Sequence, residues 1–495
     1  MLANNHSLNK MIDIQTKIHD RFTLEFKVGF IAKKNQNILN VNDFVMNTWI
    51  FVPNSLDINK NKYSKENFYR DIKSGVRLIT PTYRLHDLAN DDTLLPWKLV
   101  ETNAKDIQEQ PENTAALLHA IKMYCAIAKS ATREAYNAIA KGSCSDLRSQ
   151  TIDFLNDEPK VLSKFRKVKN EIGENADQQI VQAFRYGDEF LSNIFEQYGY
   201  RLREHIRLKH HDEYQQIEPF FKQVLLAEKD YKQAQNYLRI HRDSDDGNGR
   251  FVYHASLLKK FAESDLFLQA NKSHNTFLIE QIFYSAAAGV AMIFATVASF
   301  FFQQKYGNFT FPFLVALVIS YMFKDRLKDW LRMIFAKRLS QKIFDTKTVF
   351  RINKQIIGWT KDSFDFVDCD KVPEEVLKTR QRTKLFHMVS GNDEKIILYR
   401  KKAQLRRDQL AKASPYPLNG INDNIRFNIT EFLRKMDNPN IPLQASWEDT
   451  NYSVIVGSKV YYIHFVIQCS FEGQTEYKHI LLACNRDGIV EVKEL

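Results

Sequence analysis

Phe22, Leu24, Phe26, Val28 and Phe30 alternate with other residues through Arg21–Ile31. Period two sets these apolar side chains on one face, the pattern of a half-buried strand. Val45–Val52, stopped by Pro53, predicts a second strand, Ser64–Ile72 a short helix and Val76–Thr80 a third strand. The Asn/Lys-rich stretch Asn54–Lys65 predicts an exposed loop. Beyond it the period lengthens. Ala115–Ala140, Ile180–Ile206 and Ile217–Ile240 carry apolar residues three and four apart, almost without Gly or Pro. Ile180, Phe184, Leu191, Ile194, Phe195, Tyr198 and Leu202 form one such stripe. Stripes of this kind predict an antiparallel helical bundle. A polar turn, Asp243–Gly249, separates the bundle from Phe251–Ala270.

The pattern then loses its polar phase. Ile282–Phe302 is an uncharged apolar run of 21 residues and Tyr306–Phe323 a second of 18, with Gln303, Gln304 and Lys305 between them. Runs of this length predict two membrane-crossing helices joined by a tight turn. Ala287, Ala291, Ala295 and Ser299 recur every fourth residue in the first run, with Ser285 and Gly289 on an adjacent row. Small residues at that spacing let a second helix approach closely, so this is the expected packing face, toward the second run or toward another copy of the chain. After the second run, Leu327, Trp330, Leu331, Ile334, Phe335, Leu339 and Ile343 recur at helical spacing among cations. They predict an amphipathic helix at the membrane surface, or a long continuation of the second helix.

Thr348–Val367 reads as strand, Glu374–Thr383 as a short helix, Lys395–Leu405 as strand and Asn424–Met436 as helix. Ser453–Val456, Val460–Cys469, Tyr477–Cys484 and Ile489–Val492 predict a terminal β-meander. The expected fold class is therefore a multi-domain α+β integral membrane protein. Its parts are an N-terminal α+β module (residues 1–110), a helical bundle (111–276), a transmembrane hairpin (277–323), a basic amphipathic helix (324–345) and a C-terminal α+β domain (346–495).

Charge orients this arrangement. The chain of 495 residues carries a formal +11. Residues 324–412 hold 23 Lys+Arg against 12 Asp+Glu and so account for +11, with about +3 before them and −3 after. Lys324, Arg326, Lys328, Arg332, Lys337, Arg338 and Lys342 follow the second run, against Lys305 alone between the runs. Basic flanks stay cytoplasmic, so both large flanks are expected in the cytoplasm, with these cations on anionic headgroups. An excess that begins at a bilayer surface argues against a nucleic-acid footprint. Cys125, Cys144, Cys369, Cys469 and Cys484 are widely spaced and lack a CxxC pair, which predicts neither a disulfide framework nor a zinc knuckle. MLANNHSLNKMIDIQTK has no apolar core of a signal peptide.

Catalytic spellings fail on their surroundings. His241-Arg242-Asp243 with Asn248 matches the catalytic loop of protein kinases, but no glycine-rich lid accompanies it and Asp365-Phe366 precedes Val367 rather than Gly. Asp243, Asp245, Asp246 and Asn248 suggest calcium, yet Gly247 and His254 occupy positions where an EF-hand needs a ligand. Asp362, Asp365, Asp368 and Asp370 form a second acidic cluster that could furnish carboxylates for a divalent metal, with no His or Glu at ligand spacing to complete it. His210 and His211 are adjacent and diverge on a helix; His464 lies in an apolar strand and reads as core. The sequence specifies no cofactor.

Gln304–Arg332, Gly420–Pro439 and the terminal meander together resemble a group of bacterial proteins with one central membrane hairpin and no assigned activity. The two apolar runs and the basic flank predict a two-pass protein of the bacterial inner membrane with both termini cytoplasmic, and the resemblance adds no activity or site. The expected function is a membrane-anchored scaffold or sensor without catalysis of its own, held in a homo-oligomer or on a protein partner. An oligomerising effector that perturbs the bilayer and a membrane-tethered, metal-dependent hydrolase are the alternatives.

Overall fold

The computed structural model describes residues 12–31, 41–107, 113–142, 146–172, 177–242, 245–274, 276–307, 310–340, 344–352, 355–380, 394–448, 451–471 and 473–495. Strands β1 (Ile12–Asp20), β2 (Thr23–Ile31) and β3 (Val41–Pro53) precede helix α1 (Lys65–Asp71) and strand β4 (Ile72–Leu78). Helices α2 (Leu85–Asn90), α3 (Leu95–Asp106), α4 (Thr114–Lys141), α5 (Leu147–Ile172), α6 (Gln178–Lys209), α7 (His211–Ala234) and α8 (Asp245–Glu263) follow. Strand β5 (Gln269–His274) leads to the long helices α9 (Thr276–Tyr306) and α10 (Phe311–Ser340). The remainder alternates: β6 (Thr346–Ile352), β7 (Gln355–Val367), α11 (Glu374–Arg380), β8 (Glu394–Arg406), α12 (Arg407–Ala413), β9 (Gly420–Asn428) and α13 (Thr430–Leu433). Strands β10 (Asn440–Glu448), β11 (Asn451–Ser458), β12 (Tyr461–Phe471), β13 (Gln474–Asn485) and β14 (Gly488–Glu494) complete the chain.

Two units divide these elements. One gathers Met1–Val76, Gln269–Ala413 and Gly420–Leu495; the other gathers Arg77–Leu268 and Ser414–Asn419. The first unit overturns the expected separation of N- and C-terminal α+β modules, because strands from both ends share sheets. β2 pairs with β9, and β3 lies between β8 and β12 in an eight-stranded sheet ordered β14-β13-β12-β3-β8-β7-β6-β5. A four-stranded sheet, β1-β2-β9-β4, packs on it. Period two supplies both inner faces: Phe26 meets Phe465 at 5.5 Å between ring centres and Phe30 meets Phe44 at 5.2 Å. The opposite face of the larger sheet offers Trp49, Phe51, Ile396 and Val466 to Val372 and to Val376 of α11.

Several local expectations change. Asn424–Met436 is strand β9 followed by the four-residue helix α13, since Ile421, Ile425 and Phe427 alternate into the inter-sheet core. Asn54–Lys65 is not an exposed loop, for Leu56, Ile58 and Tyr63 are buried and anchor it. In the expected meander, β11 pairs with β10 as a separate ribbon, so the meander comprises β12, β13 and β14. Asp245–Gly249 forms the first turn of α8 rather than a connecting turn.

The two-helix transmembrane hairpin is overturned by where the second helix starts. Gly307, at φ 76°, takes the left-handed conformation that closes α9, its N–H donating to the Gln303 carbonyl. Helix α10 begins only at Phe311, with Pro312 in its first turn. The uncharged part of α10 is therefore Phe311–Phe323, which at ~1.5 Å per residue spans about 20 Å against a hydrocarbon core of ~30 Å. Lengthening it to Lys328 brings in Lys324, Asp325, Arg326 and Lys328. Among the described residues one helix is long and apolar enough to cross a membrane, Gln281–Tyr306 of 26 residues. A two-pass inner-membrane topology is accordingly not supported.

In the second unit, the helical periods hold. α4 buries Leu117, Ile121, Tyr124 and Ile127 along one stripe, and α6 buries Ile180, Phe184, Leu191, Phe195 and Leu202. α7 stops at Ala234 rather than at Ile240 because Asn236 adopts φ 55°, while the Tyr237 N–H returns to the Lys232 carbonyl.

Candidate functional site

Helices α9 and α10 pack against each other and account for the small-residue row. Ala287 and Ala291 have no exposed surface, so the partner of that row is the neighbouring helix of the same chain. Ser285 and Gly289 lie on the exposed side, and the Ser285 hydroxyl donates to the Gln281 carbonyl at 2.8 Å. Near the base of the pair, Phe283 meets Phe335 at 5.5 Å, and the Arg332 guanidinium lies over the Tyr284 ring. Farther along the pair, Ala295 and Ser299 line a cleft of ≈ 260 Å³ together with Leu317, Ser320 and Lys324.

Of the two expectations for the basic stretch, a separate surface helix or a continuation of the second helix, the structure has the continuation, since α10 runs unbroken through it to Ser340. Lys324 and Lys328 approach Asp325 at 3.9 and 3.8 Å, and Arg326 is exposed. Lys337 and Arg338 lie within α10, and Lys342 falls outside the described residues. The outward surface of the pair is apolar. Ile282, Ile293, Val297, Phe300, Phe311 and Met322 are each about three-fifths exposed or more. A contiguous apolar surface of this kind marks a site of contact with lipid or protein.

The four candidate metal carboxylates separate. Asp368 is exposed and pairs with Lys371 at 3.1 Å; Asp370 is exposed in a short 3-10 turn. Asp365 faces Arg400 at 3.5 Å, and burial raises its carboxyl pKa above the usual value against the pull of Lys65 and Arg400. Asp362 points to the inter-sheet side, where it belongs to a different constellation. Directly across the ladder from it stands Lys401, whose Nζ lies 3.5 Å from Asp362 Oδ1 and also pairs with Asp423 from the facing sheet. Lys401 and Asp423 are fully buried.

This cluster is extensively hydrogen-bonded. The Tyr399 hydroxyl donates to Asp362 Oδ1 at 3.0 Å, and the Ser74 hydroxyl donates to Asp423 Oδ1 at 2.6 Å. Lys401 Nζ donates to Ser74 Oγ at 3.2 Å. Burial works against the ammonium, but the Asp362 and Asp423 carboxylates outweigh it and hold Lys401 above the ordinary lysine value. Beside the cluster, between the two sheets, Phe68 and Tyr399 edge a cavity of ≈ 30 Å³ with an almost wholly apolar lining. A protonated lysine with two carboxylates is a clamp between sheets rather than a general base, which would have to be neutral. Sequence reasoning missed it, although the signal was present. Lys401 falls in the apolar phase Ile397, Tyr399, Ala403, Leu405, and Asp423 in the apolar phase Ile421, Ile425, Phe427.

The helical bundle holds a second buried polar cluster. Arg166 donates from Nε to Asp188 at 2.9 Å and from Nη2 to Glu228 at 2.6 Å, with its guanidinium 3.4 Å from the Tyr231 ring centre. Tyr231 and Tyr237 donate their hydroxyls to the other Asp188 oxygen at 2.7 and 2.8 Å. Nearby, Glu158 accepts from the Thr132 hydroxyl, and burial, reinforced by Asp157 and Glu228, pushes its carboxyl up to about 8.

The remaining sequence candidates have local roles. Asn248 exchanges two hydrogen bonds with the backbone of His241, closing a turn, while Asp243 lies outside the described residues. His464 is buried, its Nδ1 3.0 Å from His479 Nε2; burial first, then Arg380, pushes it down to about 3. Cys125, Cys369, Cys469 and Cys484 are free thiols. Among the described residues no three His, Cys, Asp or Glu side chains gather as a metal site. Comparisons with family models, with curated proteins and with solved structures each find no match for this chain.

Proposed function

We propose that the protein is a membrane-associated scaffold, seated on a lipid bilayer by the apolar surface of α9 and the first half of α10, with its sheet and bundle units as the platform for partners. The observation that carries this reading is the run of exposed large apolar side chains along both helices, from Ile282 at 67% to Phe311 at 79%. In water such a surface costs roughly 25 cal/mol per Å² of apolar area, and acyl chains remove that cost. The cations Lys324 and Lys328 follow the apolar part of α10, where headgroups would meet them. The reading requires a lipid-facing helix pair and not two complete spans.

Flotation of the full-length protein with phosphatidylcholine vesicles tests it. The wild type is expected to float with the vesicles. Val297→Asp, which places a carboxylate on a side chain 62% exposed, is expected to weaken partitioning on the order of a hundred-fold. A full-length protein that stays monodisperse without detergent and remains at the bottom of the gradient contradicts the proposal.

A further inference from the structure

We infer that the cleft between α9 and α10 is a binding site for one anionic phospholipid, its acyl chain lying between the helices and its phosphate meeting Lys324. The inference rests on the lipid-surface reading above and gives that surface a specific ligand. Three observations lead to it. First, Met292, Ala295, Phe300 and Leu317 give the cleft an apolar lining from both helices. Its ≈ 260 Å³ lies below the usual range for a compact ligand pocket and is too small a volume to seat a third helix of about 10 Å diameter. A stretch of flexible hydrocarbon is the occupant that such a slot admits.

Second, the polar groups are confined. Thr296, whose hydroxyl is taken up by the Met292 carbonyl, and Ser299 line the cleft from α9, Ser320 and Tyr321 line it from α10, and Lys324 stands at one end, about 10 Å along α10 from Leu317 at ~1.5 Å per residue. An apolar slot with a cation at one end matches an amphiphile with an anionic head. Third, Lys324 is held but retains donors to offer. Its ammonium rests over the Tyr321 ring at 3.7 Å and lies 3.9 Å from Asp325 Oδ1, and neither contact is at hydrogen-bond distance. Its side chain is 19% exposed, so a phosphate oxygen can reach it without freeing it from the ring. Asp325 is shared with Lys328, which leaves the three side chains with one net positive charge.

Native mass spectrometry of the full-length protein in mild detergent, titrated with phosphatidylglycerol or phosphatidylcholine, tests the site. The expected result is one retained phosphatidylglycerol per chain, favoured roughly five-fold over phosphatidylcholine, the preference that about one headgroup cation supplies. Lys324→Gln is expected to abolish the preference. Arg326→Gln, on an exposed residue outside the cleft, is expected to keep it. Ser299→Leu, which fills the slot, is expected to lose the bound lipid of either kind. Equal retention of the two lipids, or an unchanged preference in Lys324→Gln, overturns the site. So does an equal loss in Lys324→Gln and Arg326→Gln, which would mean diffuse attraction to the basic flank. Flotation of the same variants separates the two readings. A Lys324→Gln protein that floats on phosphatidylcholine like the wild type leaves the lipid-surface reading standing whatever becomes of the cleft.

Discussion

Lys401→Met is expected to destabilise the sheet unit by about 3–5 kcal/mol, the cost of removing one partner from a buried ion pair. The residue is fully buried, and its loss leaves the Asp423 and Asp362 carboxylates facing each other without a cation. Ser74 still donates to Asp423, and Tyr399 to Asp362, but two neutral hydroxyls cannot offset two buried charges. Adding Asp423→Leu and Asp362→Leu to Lys401→Met is expected to recover most of the loss, because a well-packed apolar replacement of the whole cluster no longer carries the desolvation cost. Hydrogen exchange of the β7, β8 and β9 amides reads the effect locally, which matters in a chain of two units. Exchange unchanged by Lys401→Met would mean that the cluster does not join the sheets. The pH dependence has a definite sign. Lys401 has a raised folded pKa, so its contribution is complete below the ordinary lysine value of 10.5 and is lost as pH rises through the raised one.

Glu158→Gln is the second large effect, and it is a gain. The folded carboxyl, pushed up to about 8, keeps its proton over a range in which the unfolded chain, near 4.5, has released it. The folded state therefore binds more protons there, and stability falls as pH rises between the two values, by ~1.4 kcal/mol per unit. Over the whole window the loss is on the order of 5 kcal/mol, fully present above about pH 8 and absent below the unfolded value. Glutamine keeps the shape and an acceptor for Thr132 but does not titrate. The variant is expected to match the wild type at acidic pH and to exceed it by several kcal/mol at about pH 8. Unfolding of the full-length protein, followed by the helical signal across that range, checks both parts. A wild type whose bundle stability does not change between about pH 5 and pH 8 would contradict it.

What the sequence disclosed follows from how far each element's pattern agrees with its surroundings. β2 and α6 were legible because nothing interrupts their periods: Leu24, Phe26, Val28 and Phe30 in one, Ile180 to Leu202 in the other. β9 was misread because Asp423 breaks the short apolar alternation Ile421, Ile425, Phe427, its carboxylate being buried against Lys401. Pairing was not legible at all, since β3 meets β8 and β12 across more than three hundred residues and no local pattern encodes such a partner. The second apolar run looked long enough for a span because an uncharged count includes Tyr306 to Thr310, whereas the backbone turns at Gly307 and restarts at Phe311. Charge counting found the basic flank, but it could not show that Lys324 lines a cleft while Arg326 faces out.

The central claim is that α9 and α10 contact acyl chains, and the depth of a fluorescent label tests it most directly. Ile293 and Val318 are exposed on the two helices, and Asp368 is exposed in the sheet unit. A bimane label on cysteine at each position in turn, in a chain with Cys144 and Cys369 changed to Ser, would be read with vesicles containing brominated phosphatidylcholine. Quenching by the brominated chains at Ile293→Cys and Val318→Cys, with none at Asp368→Cys, is the predicted result. Labels at Ile293→Cys and Val318→Cys that ignore brominated lipid and are quenched by aqueous iodide would contradict it.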